Sequence, residues 1–180
     1  MTKFSNNKII INWQHLGRVL VIIDAANLVK SVDSFAMRVH NRKLIRFFQQ
    51  YNKLIGVRYY TVSVNGKRFS DFAASMERYG YYLITKPLKK IFDRKKQKII
   101  PKANFDVEIA VDVMDYLAKF DTLILFSGDS DFNYLILRLK IKGKKVLVFS
   151  TRYHVAHELV ENCDRYFDIR EFREVFLRPK

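Results

Sequence analysis

Five stretches of the chain are almost wholly apolar, β-branched or aromatic, and each is of strand length: Val19–Ile23, Val57–Val64, Tyr81–Thr85, Thr122–Phe126 and Lys145–Ser150. Turn or charged residues bound them, among them Gly17-Arg18, Gly56, Asn65-Gly66, Gly80 and Gly143. Between them the apolar positions recur at helical spacing. The pattern predicts a long helical stretch from about Leu28 to Ile55, interrupted near His40–Arg42 and stopped by Gly56. Further helices are predicted over Phe69–Arg78, Asp106–Lys119 and Asp131–Lys142, the last closed by Gly143. A short helix over His154–Asn162, an edge strand at Tyr166–Ile169 and a terminal helix at Glu171–Leu177 complete the reading. Strands that alternate with helices, several of them apolar on both faces, specify an α/β three-layer sandwich around a mostly parallel sheet. Ligands of such sheets bind beyond the carboxyl ends of the strands, so the residues there carry the functional question.

Two of those ends are acidic. The first strand runs into Asp24-Ala-Ala-Asn27, and the fourth into Ser127-Gly-Asp129-Ser-Asp131-Phe132. If these strands are neighbours, three carboxylates converge, and like charges held together raise one another's pKa unless a cation neutralises them. Mg²⁺ or Mn²⁺ suits such an oxygen site. Gly128 is expected to leave room for a close approach by a metal or a phosphate. The plainer alternative is that Asp24 merely ends a strand, and that Ser127, Asp129, Ser130 or Asp131 caps the following helix. In the segment Lys102-Ala-Asn-Phe-Asp106-Val-Glu-Ile-Ala-Val-Asp112, Asp106 falls on the arc of Ile109, Ala110, Val113 and Leu117. That is the core-facing arc, while Asp112 falls with Glu108 and Asp115 on the polar one. An acid in a first turn can also simply face the helix dipole.

Charge narrows the partner. Lys and Arg number 33 against 18 acids, a net charge of +15, which favours a polyanion through steering and counterion release. The densest basic run lies in PLKKIFDRKKQKIIP (87–101), read as an exposed loop or short hairpin. Lys86, Lys89, Lys90, Arg94, Lys95, Lys96, Lys98 and Lys102 would then form a rim for a nucleic-acid backbone. The aromatics Tyr81, Tyr82 and Phe92 read more simply as core than as base-stacking platforms. No apolar run approaches the roughly 20 residues of a membrane span, and the N-terminus lacks the apolar region of a secretory signal. With Cys163 the only cysteine, the expectation is a cytoplasmic protein without membrane association. His154 and His157 lack the order and third ligand of a zinc site. Ser127 lacks a nucleophile-elbow context, and no nucleotide-binding glycine motif occurs.

Taken together, VIIDAANL (21–28), KANFDVEIAVD (102–112), ILFSGDSDFNYLILRLKIKGKKVLVFS (124–150) and HELVENCDRYFDI (157–169) resemble the NYN-domain family, the LabA-like branch of the PIN-like nucleases. The resemblance covers residues 18–180, leaving 1–17 as an N-terminal extension. It implies a sheet of order 3-2-1-4-5 and Mg²⁺- or Mn²⁺-assisted endonucleolytic hydrolysis of RNA, single-stranded or structured. On matched positions it implies Asp24, Asp106, Asp129 and Asp131 as the metal cluster, with Asn27, Lys102, Asp112 and Ser127 at further motif positions. Asp24 and Asp129 would hold the ion, Asp106 or Asp131 would orient a water, and Lys102 would neutralise phosphate charge. The alternative is an RNA-binding or regulatory module that keeps the PIN-like fold with weak catalysis.

Overall fold

The computed structural model describes residues 11, 13–93, 98–102 and 104–180, with 89–93 and 98–102 described through the backbone alone. Its centre is a six-stranded sheet of β1 (Val19–Asp24), β3 (Leu54–Ser63), β4 (Tyr81–Pro87), β7 (Thr122–Phe126), β8 (Lys145–Ser150) and β9 (Arg165–Asp168). The order is β4-β3-β1-β7-β8-β9, and every neighbouring pair is parallel. The first five predicted strands therefore stand in the implied order, and β9 extends the sheet at one edge.

The pleat explains why these strands are apolar throughout. Val19, Val21 and Ile23 of β1, Ile124 and Phe126 of β7, and Leu147 and Phe149 of β8 enter one core. Leu20, Ile22, Leu123, Leu125, Val146 and Val148, each one position out of phase, enter the other. The first core is closed by α1 (Ala25–Asp33), α2 (Asn41–Gln49), α3 (Lys67–Tyr79) and α7 (Arg173–Phe176) through Leu28, Val32, Leu44, Ile45, Phe48, Met76 and Phe176. The second is closed by α4 (Asp106–Asp115), α5 (Asn133–Ile141) and α6 (His157–Asn162) through Ile109, Val113, Ile136, Leu139 and Leu159. The helix α3 ends as predicted at Gly80, whose φ of 99° is the left-handed cap glycine adopts freely.

The long helix expected over 28–55 does not form. The chain leaves α1 at Asp33, turns through Ala36 at φ 57°, and makes β2 (Met37–Val39) before α2 begins. β2 pairs antiparallel with β10 (Leu177–Pro179) at the far end of the chain, and this ribbon buries Met37 and Leu177. A continuous helix would forgo that burial, worth about 1.5–3 kcal/mol per large apolar side chain. Gly56 does not stop a helix but lies inside β3, where the edge of the exposed Tyr82 ring comes to 2.9 Å from the place of a Cβ. The basic run forms the hairpin β5 (Lys89–Asp93) and β6 (Lys98–Lys102). Of the N-terminal extension, the described residues pack onto the domain: Leu16 is buried and Trp13 stacks on Tyr51.

Candidate metal centre

β1 and β7 lie side by side with Ile23 opposite Phe126, so Asp24 and Ser127 leave the sheet together. Ser127, itself buried, donates from Oγ to Asp24 Oδ2 at 3.4 Å and accepts the Asp129 N–H at 3.2 Å. Asn27 Oδ1 accepts the Gly128 N–H at 3.1 Å, tying the first turn of α1 to the turn after β7. Asp24 Oδ1 accepts the N–H groups of Ala26 and Asn27 at 3.1 and 3.3 Å. Asp129 Oδ1 accepts the Asp131 N–H at 3.1 Å, capping the 3-10 turn Ser130–Phe132. Both residues are therefore caps, but a carboxylate has a second oxygen, and capping does not exhaust it.

Asp106 arrives from the other face of the sheet. A crossover helix returns antiparallel to the strands, which brings the first turn of α4 to their carboxyl ends. There the ligand oxygens of Asp106, Asp129 and Asp131 lie within 4.8 Å of one another. Asp24, Asp106 and Asp129 line a single cleft of about 940 Å³. Burial raises the Asp24 pKa, with the Asp129 charge adding to it. Burial likewise raises the Asp106 pKa, reinforced by the charges of Asp129, Asp24 and Asp131. The donor set fits a hard divalent cation. Mg–O bonds of about 2.1 Å put adjacent ligands ~3.0 Å apart and opposite ones ~4.2 Å apart, so the three carboxylates would have to draw together to share one ion.

Other predicted residues stand elsewhere. Asp112 Oδ2 accepts from the Arg58 guanidinium at 2.8 Å and the Tyr60 hydroxyl at 2.7 Å, a pairing that holds α4 against β3. Lys86 donates to the Asn104 carbonyl, pairs with Glu108 at 2.6 Å and lies over the Phe105 ring, which fastens the start of α4 to β4. Lys89, Lys90, Lys98 and Lys102 belong to the hairpin backbone, with Lys102 opposite Lys89. Arg94, Lys95 and Lys96 lie outside the described residues, as does the Phe92 side chain. Tyr81 is buried, its hydroxyl donating to the Asn41 carbonyl, while Tyr82 is exposed. His157 pairs with Glu161 on the surface.

Gly128 needs a different explanation from the one expected. A Cβ there would stand 1.9 Å from the His154 carbonyl oxygen, so the close approach is to the chain's own backbone after β8. Arg38 and Arg68, which also line the cleft, were not legible as site residues. Arg38 reaches it only because the β2–β10 ribbon replaces a helix, and no local pattern announces that.

Comparison with known proteins agrees with this fold. The NYN domain family matches residues 18–170. The chain is 29% identical over 170 residues to the low amplitude and bright protein LabA of Synechococcus elongatus, covering 91% of each. The fold is shared with a protein of unknown function from Vibrio parahaemolyticus, at a TM-score of 0.77, 21% identity, and coverage of 92% of this chain and 98% of that one. Among the described residues no helix is long and apolar enough to cross a membrane.

Proposed function

The chain belongs to the NYN domain family, with LabA as a homologue, and from that premise we propose that it binds RNA at the aspartate cluster through a shared divalent cation. The observation that carries the proposal is the gathering of Asp106, Asp129 and Asp131 at the carboxyl ends of a parallel sheet in a chain of net charge +15. Asp106 and Asp129 hold the cation from within the cleft. Asp131, exposed at its mouth, completes the set on the side from which a phosphate approaches. Charge complementarity brings the polyanion, and the cation lets it settle against carboxylates that would otherwise repel it.

A second reading, hydrolysis of the bound RNA, is favoured by Asp24. It is buried beside the cluster, and Ser127 holds its Oδ2 by one long hydrogen bond. A bound Mg²⁺ or Mn²⁺ supplies a polarised phosphoryl oxygen and a water of lowered pKa. Asp24 Oδ2, whose proton affinity is raised by burial, would be the group placed to take a proton from an attacking water. The Asn27 backbone N–H, bonded to Oδ1, and the Ser127 hydroxyl, bonded to Oδ2, keep the carboxylate in place. With this step the protein is a metal-dependent ribonuclease, and without it an RNA-binding module of PIN-like fold.

One matched experiment separates the outcomes: Mn²⁺ titration by calorimetry, with binding and cleavage of labelled single- and double-stranded RNA, on the wild type and Asp129→Asn. The variant should lose at least about tenfold in metal affinity and with it the metal-dependent part of RNA binding. RNA cleaved by the wild type and not by the variant supports hydrolysis. Metal-dependent binding without cleavage leaves the module reading, and metal affinity that survives Asp129→Asn overturns the cluster.

A further inference from the structure

The cleft lined by Asp24, Asp106 and Asp129 does not end at the aspartates. It shares Val39, Asn41 and Phe72 with a second depression of about 370 Å³, which in turn shares Arg42 and Tyr79 with a third of about 500 Å³. The three form one groove from the carboxylates, past the β2–β10 ribbon, to the surface between α2 and α3. Its walls are lined by Arg38 and Arg68 near the cluster, Arg42 and Arg178 in the middle, and Arg46 and Arg78 at the far end. All six are exposed, and none is in an ion pair among the described residues. The acids on this path are Asp71, in the middle depression, and Asp33, which is paired with Lys180 at 2.9 Å.

Two features argue against a merely solvated face. Arg178 and Arg38 stand directly opposite each other in the β10–β2 ladder. Like charges at such a site destabilise a pair of strands unless an anion lies between them. Arg42 and Arg46 are one helical turn apart, a rise of ~6 Å, and both line the far depression. Guanidinium groups present paired donors matched to phosphate oxygens, and Phe72 and Tyr79 on the floor offer apolar faces to bases.

We propose that this arginine-lined groove is the track for a single-stranded RNA backbone, leading one end of the strand from α2 and α3 across the β2–β10 ribbon to the aspartate cluster. The proposal rests on the RNA-binding reading of that cluster, and adds a path separate from the basic hairpin of residues 89–102. Phe72 and Tyr79 along the groove offer stacking faces that only unpaired bases can use, so the strand is single.

The test is fluorescence anisotropy over a range of salt, in chelator so that cleavage does not intervene, with single-stranded RNA of ~20 nucleotides, long enough to span groove and cleft. The variant R42A/R46A/R78A should bind at least about tenfold more weakly. Its salt slope should be smaller by about 2, since each lost contact with a single strand removes ~0.7. The control K119A/R138A/K142A removes the same charge from the turn after α4 and from α5 and its C-cap, on the opposite face, and should keep its affinity. Asp71→Asn should bind more tightly than the wild type. Unchanged affinity in R42A/R46A/R78A overturns the track, as does an equal loss in the control, which would show that net charge alone acts. Preference for duplex RNA or anionic vesicles with the same arginine dependence also overturns it. Failure of the cluster reading is seen separately, as metal-dependent binding that Asp129→Asn leaves intact.

Discussion

Replacing Gly128 with Ala tests the architecture of the site without touching a carboxylate. The added Cβ would lie 1.9 Å from the His154 carbonyl oxygen, and 2.7 Å from both its carbon and Ser150 Oγ. Even close carbon–oxygen contacts in proteins stop at about 3.3 Å, so more than an ångström must be found. Neither side yields easily. The His154 N–H is held by the Thr151 carbonyl at 2.8 Å, and the Ala156 N–H bonds the Gly128 carbonyl at 2.9 Å. Overpacking costs about 1–3 kcal/mol, and an obstacle made of backbone puts this case near 3. For a chain of this length that is a fall in Tm of roughly 6–12 °C. If the turn moves instead, it breaks the Gly128 N–H bond to Asn27 and carries Asp129 away from Asp106. Metal affinity should then drop by about tenfold. Thermal unfolding in chelator and calorimetric Mn²⁺ titration read the two effects together. A variant matching the wild type in both would refute the claim that the His154 carbonyl packs on Gly128 and fixes the ligand turn.

Asp106→Asn should raise the Tm of the metal-free protein at neutral pH. The folded-state pKa of Asp106 lies above its ordinary value, so the folded state binds this proton more tightly than the unfolded chain does. The resulting destabilisation is complete above the raised pKa and disappears below the ordinary carboxylate range. The gain should therefore fade on acidification through that window; a variant no more stable at pH 7 in chelator counts against the crowding. Mn²⁺ at about 100 times its Kd should stabilise the wild type by ~2.7 kcal/mol. Asp129→Asn should show little of that shift in the same melting assay. Asp112→Asn should cost about 1–3 kcal/mol by weakening the grip of Arg58 and Tyr60 on α4, with Mn²⁺ affinity retained. A large fall in metal affinity without loss of stability would return Asp112 to the site.

What could be read along the chain was set by short-range rules. An apolar run such as Val19–Ile23 must be buried on both faces, whatever surrounds it, and the helical spacing of Ile109 and Val113 marks the inward arc on which Asp106 sits. Asp24 and the Ser127–Asp131 segment were legible because they follow such runs at once, where a parallel sheet keeps its ligands. Their family pattern supplied the strand order that makes β1 and β7 neighbours.

The rest depended on partners distant in sequence. Met37–Val39 became a strand because Leu177–Pro179 offered it an edge and a place to bury Met37, and helical periodicity around it carried no trace of that pairing. Asp112 turned toward Arg58 and Tyr60 because β3 passes beneath α4, and Gly128 was required by a carbonyl from the segment after β8. The arginines of the groove, scattered from residue 38 to 178, share a surface only after that ribbon and the α2–α3 packing are in place. Backbone propensity and burial act on neighbouring residues and leave their mark in the sequence. Charge and steric contact act through space, and which side chains meet is decided only when the sheet has closed its order and the helices have packed on it.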